Sequence, residues 1–275
     1  MYDTILVPTD GSESANIAGR HATGIAATVD ADVHALSVID PKECASAVGD
    51  VSDLNERQRQ AYEQRATEAA AAVTASAGPD VAVEEHVLCG TPSQAIEEFV
   101  TRNDADLVAM GTHGRTGLKR QLVGSVAERT IRTVPAPVLT AHHDSPADGG
   151  YDTILVPTDG SEYATAAVDH ALSLARPLDA GLHFLYAGTD SHGQEAVETA
   201  AERVADRAPG PVETATVDGT PPGAINDYAA ANGADLIVMG THGRTGLRRH
   251  LVGSVTERTI RTAALPVLAV HLDDG

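Results

Sequence analysis

Twelve residues, YDTILVPTDGSE, occupy Tyr2–Glu13 and return letter for letter at Tyr151–Glu162. A second segment, MGTHGRTGLKRQLVGS at 110–125, returns as MGTHGRTGLRRHLVGS at 239–254. The copies are offset by 149 residues at their start (151 against 2) and by 129 at their end (239 against 110), so the second is 20 residues shorter in between. A repeat of this length is a duplicated domain, not a solenoid, whose units run to roughly 20–50 residues. The chain of 275 residues also exceeds the usual length of one domain. The join, HHDSPADGG at 142–150, is rich in Gly, Pro and Asp and reads as a flexible linker with both histidines on the surface. We therefore expect one domain over 1–144, a linker over 145–150 and a second domain over 151–275.

Each copy alternates two patterns. TILVPT (4–9) is a short β-branched run, as expected of a strand covered on both faces. A helix is expected from about Ser12 to Thr28, then a strand at VHALSVI (33–39) and a long Ala- and Glu-rich helix over Val51–Ser76. VAVEEHVL (81–88) is the third strand. In TPSQAIEEFV, Thr91 can cap a helix, Pro92 suits its first position and Gln94 completes a capping box. DLVAM (106–110) and APVLTAH (136–142) are the fourth and fifth strands. The second copy repeats the order with TILVPT, LHFLYA, VETATV, DLIVM and LPVLAV, its shortened crossover lying near 193–208. Strands alternating with helices imply right-handed crossovers, hence two tandem doubly wound α/β domains, each with a parallel five-stranded sheet.

Composition narrows the partners. With 42% hydrophobic residues, no Trp and two Phe, the cores must be built from Val, Leu, Ile and Ala. The net charge is −20 and the lysines are Lys42 and Lys119 alone, so phosphate backbones and anionic lipids are repelled; neither nucleic acid nor membrane is an expected partner. Such acidity also suits a high-salt cytoplasm, where the screening length falls to about 3 Å at 1 M; an ordinary acidic protein is the plainer alternative. Cys44 and Cys89 match no metal or redox spacing. There is no apolar leader segment and no run long enough to span a bilayer, so a cytoplasmic location is expected.

The glycine segment begins where the fourth strand ends, the side of an α/β sheet on which ligands sit. Gly111 and Gly114 would let the backbone turn and expose its amides. Ser125 with Glu128 would form a capping box, placing a helix N-terminus at Gly124–Ser125, matched by Gly253–Ser254 with Glu257. Free amides, the helix dipole and a small hydroxyl converging there would bind an anion, phosphate first of all. Neither a Walker A loop nor a G-x-G-x-x-G fingerprint occurs. The same glycines also serve as ordinary loop punctuation, and both readings stand. Between the copies Lys119 becomes Arg248 and Gln121 becomes His250 while every Gly and Ser is kept.

G-x2-G-x9-G-S, with ILVPTDGSE and LSVID, resembles the universal stress protein family in three ordered landmarks of a tandem pair. That resemblance implies adenine-nucleotide binding: ATP, or ADP or AMP, with Mg2+ accompanying a triphosphate. It implies that Asp10 meets the ribose, with Pro8 and Thr9 nearby and Val38 at the adenine edge. Met110 would line the pocket, and Gly111, Gly114, Gly124 and Ser125 would hold the phosphates. The second set is Pro157, Thr158, Asp159, Ala187, Met239, Gly240, Gly243, Gly253 and Ser254. Ala187 and LYAGTD depart from Val38 and LSVID, which weakens the adenine end of the second pocket. The resemblance also implies an intramolecular pseudo-dimer with fifth strands meeting, and leaves room for a further homodimer.

Arg115 and Arg244, with Arg120 and Arg249, either neutralise phosphate or are simply solvated. His113 and His242 lack a carboxylate at a telling spacing and read as loop-shaping residues. Asp10 alone is thin evidence for a metal site. The long second helix is either a crossover or a lid. No nucleophile set is present. A nucleotide-binding stress-response sensor or regulator is the leading expectation. A slow ATPase and an interaction scaffold with vestigial pockets are the alternatives.

Overall fold

The computed structural model describes residues 2–41, 56–113, 123–146, 150–189, 192–243 and 252–272. The chain divides into two compact units, one of residues 2–136 with 141–143 and one of residues 144–275 with 137–140.

The first unit starts with β1 (Thr4–Pro8) and α1 (Glu13–Val29), followed by β2 (Asp32–Ile39) and α2 (Glu56–Ser76). Next come β3 (Val83–Cys89), α3 (Pro92–Asn103), β4 (Leu107–Gly111) and α4 (Ser125–Thr133). Its strands lie in the order β3-β2-β1-β4, all parallel. The β1 residues Ile5, Leu6 and Val7 are fully buried, as a two-sided cover demands. Ser12 caps α1 by accepting the Ala15 amide at 3.3 Å. Asp30 closes that helix at φ 60°, and Asp104 closes α3 at φ 49°. Aspartate tolerates this left-handed turn because its short polar side chain bonds locally. Gly19 is where α1 meets α2, since a side chain there would touch Val73 at 3.5 Å and Val7 at 3.8 Å. Helices α3 and α4 likewise pack together.

The second unit contains β6 (Thr153–Pro157), α5 (Glu162–Leu178), β7 (Gly181–Ala187) and α6 (Gly193–Val204). It continues with β8 (Val212–Val217), α7 (Pro221–Ala231), β9 (Leu236–Gly240), α8 (Ser254–Thr262) and β10 (Val267–Val270). Its order is β5-β10-β9-β6-β7-β8, where β5 (Val138–Ala141) comes from the end of the first copy.

The α/β class, the mostly parallel strands and the five strands contributed by each copy are as expected. β5 runs antiparallel to β10, pairing Thr140 with Val267, Leu139 with Leu268 and Val138 with Ala269, and the Thr140 hydroxyl donates to the Val267 carbonyl at 3.1 Å. An apolar edge needs cover, and β5 supplies it to β10. Among the described residues, the compact units hold four and six strands.

Other expectations change. His142 is 8% exposed and Ser145 is buried, so the join is not uniformly a surface linker. Thr91 precedes α3 but makes no side-chain cap, and Pro92 takes the first turn as expected. Residues 51–55 of the expected long helix lie outside the described residues.

Candidate functional site

β1 delivers Thr9 and Asp10 to the carboxyl end of the sheet, where Gly11 turns the chain into α1. Gly11 sits at φ +77°, a conformation side chains rarely adopt, and its amide donates to the Thr9 hydroxyl at 3.2 Å. The Asp10 carboxylate accepts the Ser12 amide at 2.9 Å, which fixes its direction over the strand ends. β4 ends beside it. A Cβ on Gly111 would lie 2.5 Å from the Ser14 hydroxyl and 2.7 Å from the Ala15 amide, so only glycine lets β4 approach α1 this closely.

After β4 the backbone is tied on three sides. The Ser12 hydroxyl donates to the His113 carbonyl at 3.3 Å, and Ser14 donates to the same oxygen. The Thr112 amide donates to the Ala141 carbonyl at 2.9 Å, and the Gly124 amide to the Thr112 carbonyl at 2.7 Å. The Thr112 hydroxyl bonds His142 Nδ1 at 2.8 Å and His113 Nδ1 at 3.0 Å. His142 is therefore a buried brace of the loop. Ser12, Ser14, Thr112 and His142 were invisible as site residues because their contacts join distant stretches of chain.

α4 begins differently from the expected capping box. Gly124 is its cap, Ser125 is the first helical residue, and no side chain among the described residues caps this end. The first turn bond runs from the Glu128 amide to the Gly124 carbonyl at 2.9 Å. An N-terminus without a side-chain cap keeps its dipole directed at whatever occupies the space before it.

That space is a cavity of about 280 Å³ lined by residues from the ends of β1, β2 and β4 and from α3 and α4. Pro8, Thr9, Asp10, Leu36, Val38 and Asp40 line it. Met110, Gly111, His113, Gly124, Ser125 and Ala127 also line it, with Pro92 and Ile96. Eight of the expected first-copy positions thus share one cavity: Pro8, Thr9, Asp10, Val38, Met110, Gly111, Gly124 and Ser125. Its volume is close to the lower end of the roughly 300–1,000 Å³ typical of small-molecule sites. Gly114, Arg115, Lys119, Arg120, Gln121, Arg244, Arg248, Arg249 and His250 lie outside the described residues.

In the second unit the Asp159 carboxylate accepts the Ser161 amide at 3.0 Å, as in the first. Its other oxygen leans on the loop, lying 2.6 Å from where a Cβ on Gly243 would be. Tyr163 stands where the first copy has Ser14, its ring 4.9 Å from that of His242. Gly253 caps α8 without a side-chain bond, and its amide reaches the Thr241 carbonyl at 2.7 Å. Thr256, where the first copy has Ala127, donates to the Gly240 carbonyl at 2.8 Å. Of the second-copy set, Thr158 and Asp159 line a separate cavity of about 480 Å³ between α5 and α6. Pro157, Ala187, Met239, Gly240, Gly243, Gly253 and Ser254 are not among its lining residues.

A sequence model of the universal stress protein family matches residues 1–142, 150–192 and 187–271. The chain belongs to the universal stress protein family. A universal stress protein of Mycolicibacterium smegmatis is 29% identical over 291 aligned positions, covering 97% of this chain and 96% of that one. One from Methanocaldococcus jannaschii is 38% identical over 141 positions, covering 50% of this chain and 81% of its own. Among solved structures, a universal stress protein from Archaeoglobus fulgidus has the same fold over 100% of this chain and 98% of its own, with a TM-score of 0.77 at 23% identity. No helix among the described residues is long and apolar enough to cross a membrane.

Proposed function

We propose that this universal stress protein binds an adenine nucleotide in its first copy and acts as a sensor or regulator. The observation that carries the reading is the cavity at the strand ends, whose lining brings together Asp10 and a helix N-terminus that no side chain among the described residues caps. A carboxylate accepts both hydroxyls of a ribose, and uncapped helix amides suit a phosphate. In this reading Val38 and Leu36 offer an apolar strip to adenine, Met110 backs it, and Pro8 and Thr9 hold the ribose end. Gly111, Gly124 and Ser125, with Gly114 and Arg115 of the intervening loop, meet the phosphates. ATP is the proposed ligand, with ADP and AMP as weaker forms of the same fit; Mg2+ arrives on the triphosphate, as such ions keep several waters and lean on phosphate oxygens.

The second set, Pro157, Thr158, Asp159, Ala187, Met239, Gly240, Gly243, Arg244, Gly253 and Ser254, is proposed as a weaker site. We further propose functional domains of 1–144 and 151–275, a cytoplasmic location, a halophilic surface and an intramolecular pseudo-dimer built on the β5–β10 pairing.

Calorimetric titration with ATP, ADP and AMP in high salt tests the reading. Micromolar binding, about −8 kcal/mol, is expected for ATP. The absence of heat and of thermal stabilisation with all three would overturn it. A phosphate-release assay separates regulator from enzyme: turnover above roughly 1 s⁻¹ would make the protein an ATPase.

A further inference from the structure

Outside that cavity, the first unit gathers three side chains with no place in nucleotide binding. His34 on β2 and Glu84 and His86 on β3 project from the same sheet face. Parallel register pairs His34 with Glu84 and Leu36 with His86, and the two-residue period of a strand puts 84 and 86 side by side. His34 Nδ1 and His86 Nε2 are 3.0 Å apart. The Glu84 carboxylate lies 3.7 Å from each of those nitrogens, through Oε2 to His34 and Oε1 to His86.

We propose that His34, Glu84 and His86 bind a divalent transition-metal ion of the zinc class. Zinc–nitrogen bonds of about 2.0–2.1 Å in a tetrahedron put neighbouring ligand atoms roughly 3.3–3.4 Å apart. The observed separations of 3.0, 3.7 and 3.7 Å bracket that edge. All three donor atoms lie within 4.8 Å of one another, so a cation between them needs only small side-chain rotations. Two imidazoles with one carboxylate favour Zn2+, Ni2+ or Cu2+; Mg2+ and Ca2+ prefer all-oxygen sets.

The rings are held from below. Phe99 of α3 packs against His34 at 5.4 Å and against His86 edge-on at 4.9 Å between centroids. The two imidazoles are 18% and 23% exposed and Glu84 is 70% exposed. One side of the triad is therefore fixed by the α3 face, and a fourth position is open to water.

The second unit provides an internal contrast. His183 and Glu213 occupy the corresponding strand positions at 3.7 Å, but Ala215 stands where His86 does. Tyr228 replaces Phe99, and its hydroxyl bonds His183 Nδ1 at 3.3 Å. With one ligand missing and another occupied, that position should not compete.

The test is a competition titration of ZnCl2 between a chromophoric chelator and the tag-free full chain, stripped of metal beforehand. The expected result is one tight equivalent per chain. Changes outside the first ligand shell already weaken metals by about 10–100-fold, so His86→Ala should cost more than roughly 100-fold. Glu84→Gln, at an exposed position that the fold tolerates, should weaken binding as well, and His86→Cys should retain it. Ala215→His with Tyr228→Phe should add a second equivalent. Wild-type protein binding Zn2+ no more tightly than both His86→Ala and Glu84→Gln would overturn the proposal. ATP titrations of the same variants should be unchanged, which keeps this site separate from the nucleotide reading.

Discussion

The two copies keep the same backbone at their strand ends and differ in what surrounds it. In the first, Ser14 and Ser12 anchor the His113 carbonyl, Ala127 stays small, and Asp10 lines a cavity with the α4 N-terminus. In the second, Tyr163 crowds His242, Thr256 ties the Gly240 carbonyl, and Asp159 leans onto Gly243. The glycines set what main chain can be presented, and the neighbours that replaced Ser14 and Ala127 decide how much room stands before it. The crossovers differ as well. Helix α2 runs 21 residues and places Ala69 against Gly11; α6 runs 12, places Ala196 against Gly160 and lines an open groove beside α5.

The largest expected effect tests whether the first copy carries the binding. Gly124→Arg brings a side chain against the Thr112 carbonyl, which a Cβ would already approach to 3.0 Å, and fills the cavity. ATP affinity should fall more than 100-fold, about 2.8 kcal/mol or more, by calorimetry. Gly253→Arg should leave the tighter of the two sites unaltered.

Next comes stability. Gly111→Ala and Gly240→Ala each force a Cβ within 2.5–2.7 Å of α1 or α5 atoms, Ser14 and Ala15 in one copy and Tyr163 in the other. Each should cost about 1–3 kcal/mol in urea unfolding. Equal costs would show that close strand–helix approach survived in both copies independently of ligand.

Asp10→Asn removes the proposed charged ribose acceptor. A loss of about 1.5 kcal/mol, roughly tenfold in ATP affinity, is expected. Asp159→Asn should have a smaller effect because that carboxylate already faces Gly243. The reverse order would transfer the principal site to the second copy.

Thr256→Ala removes the 2.8 Å bond to the Gly240 carbonyl and should destabilise the second unit by about 1 kcal/mol in thermal unfolding. The smallest change is Ala187→Val, which restores the first copy's side chain at that strand position. In a Gly124→Arg background it should tighten second-site ATP binding by about threefold, ~0.7 kcal/mol.

Much of this was legible in the chain. TILVPT and DLVAM read as buried parallel strands because β-branched runs have few other uses, and the helix starting near Ser12 was read within one residue of its observed start at Glu13. The capping box at Ser125 misled, since a short pattern cannot say whether its serine lies before the helix or inside it. His142 looked like linker, because burial is decided by what folds over a residue. The triad of His34, Glu84 and His86 was half visible as an alternating Glu-x-His in β3. Its third member came from a strand fifty residues earlier, which only pairing could bring alongside.

The sequence by itself determined the duplication, the α/β alternation and the positions where the backbone must stay bare, because repeats, periodicity and glycine are local properties. Tertiary structure decided that β5 completes the sheet of the second unit, that the α4 N-terminus and Asp10 line one cavity, and that three polar side chains meet on one sheet face. Those outcomes depend on contacts between residues far apart in the chain, and no local pattern encodes the distance between them.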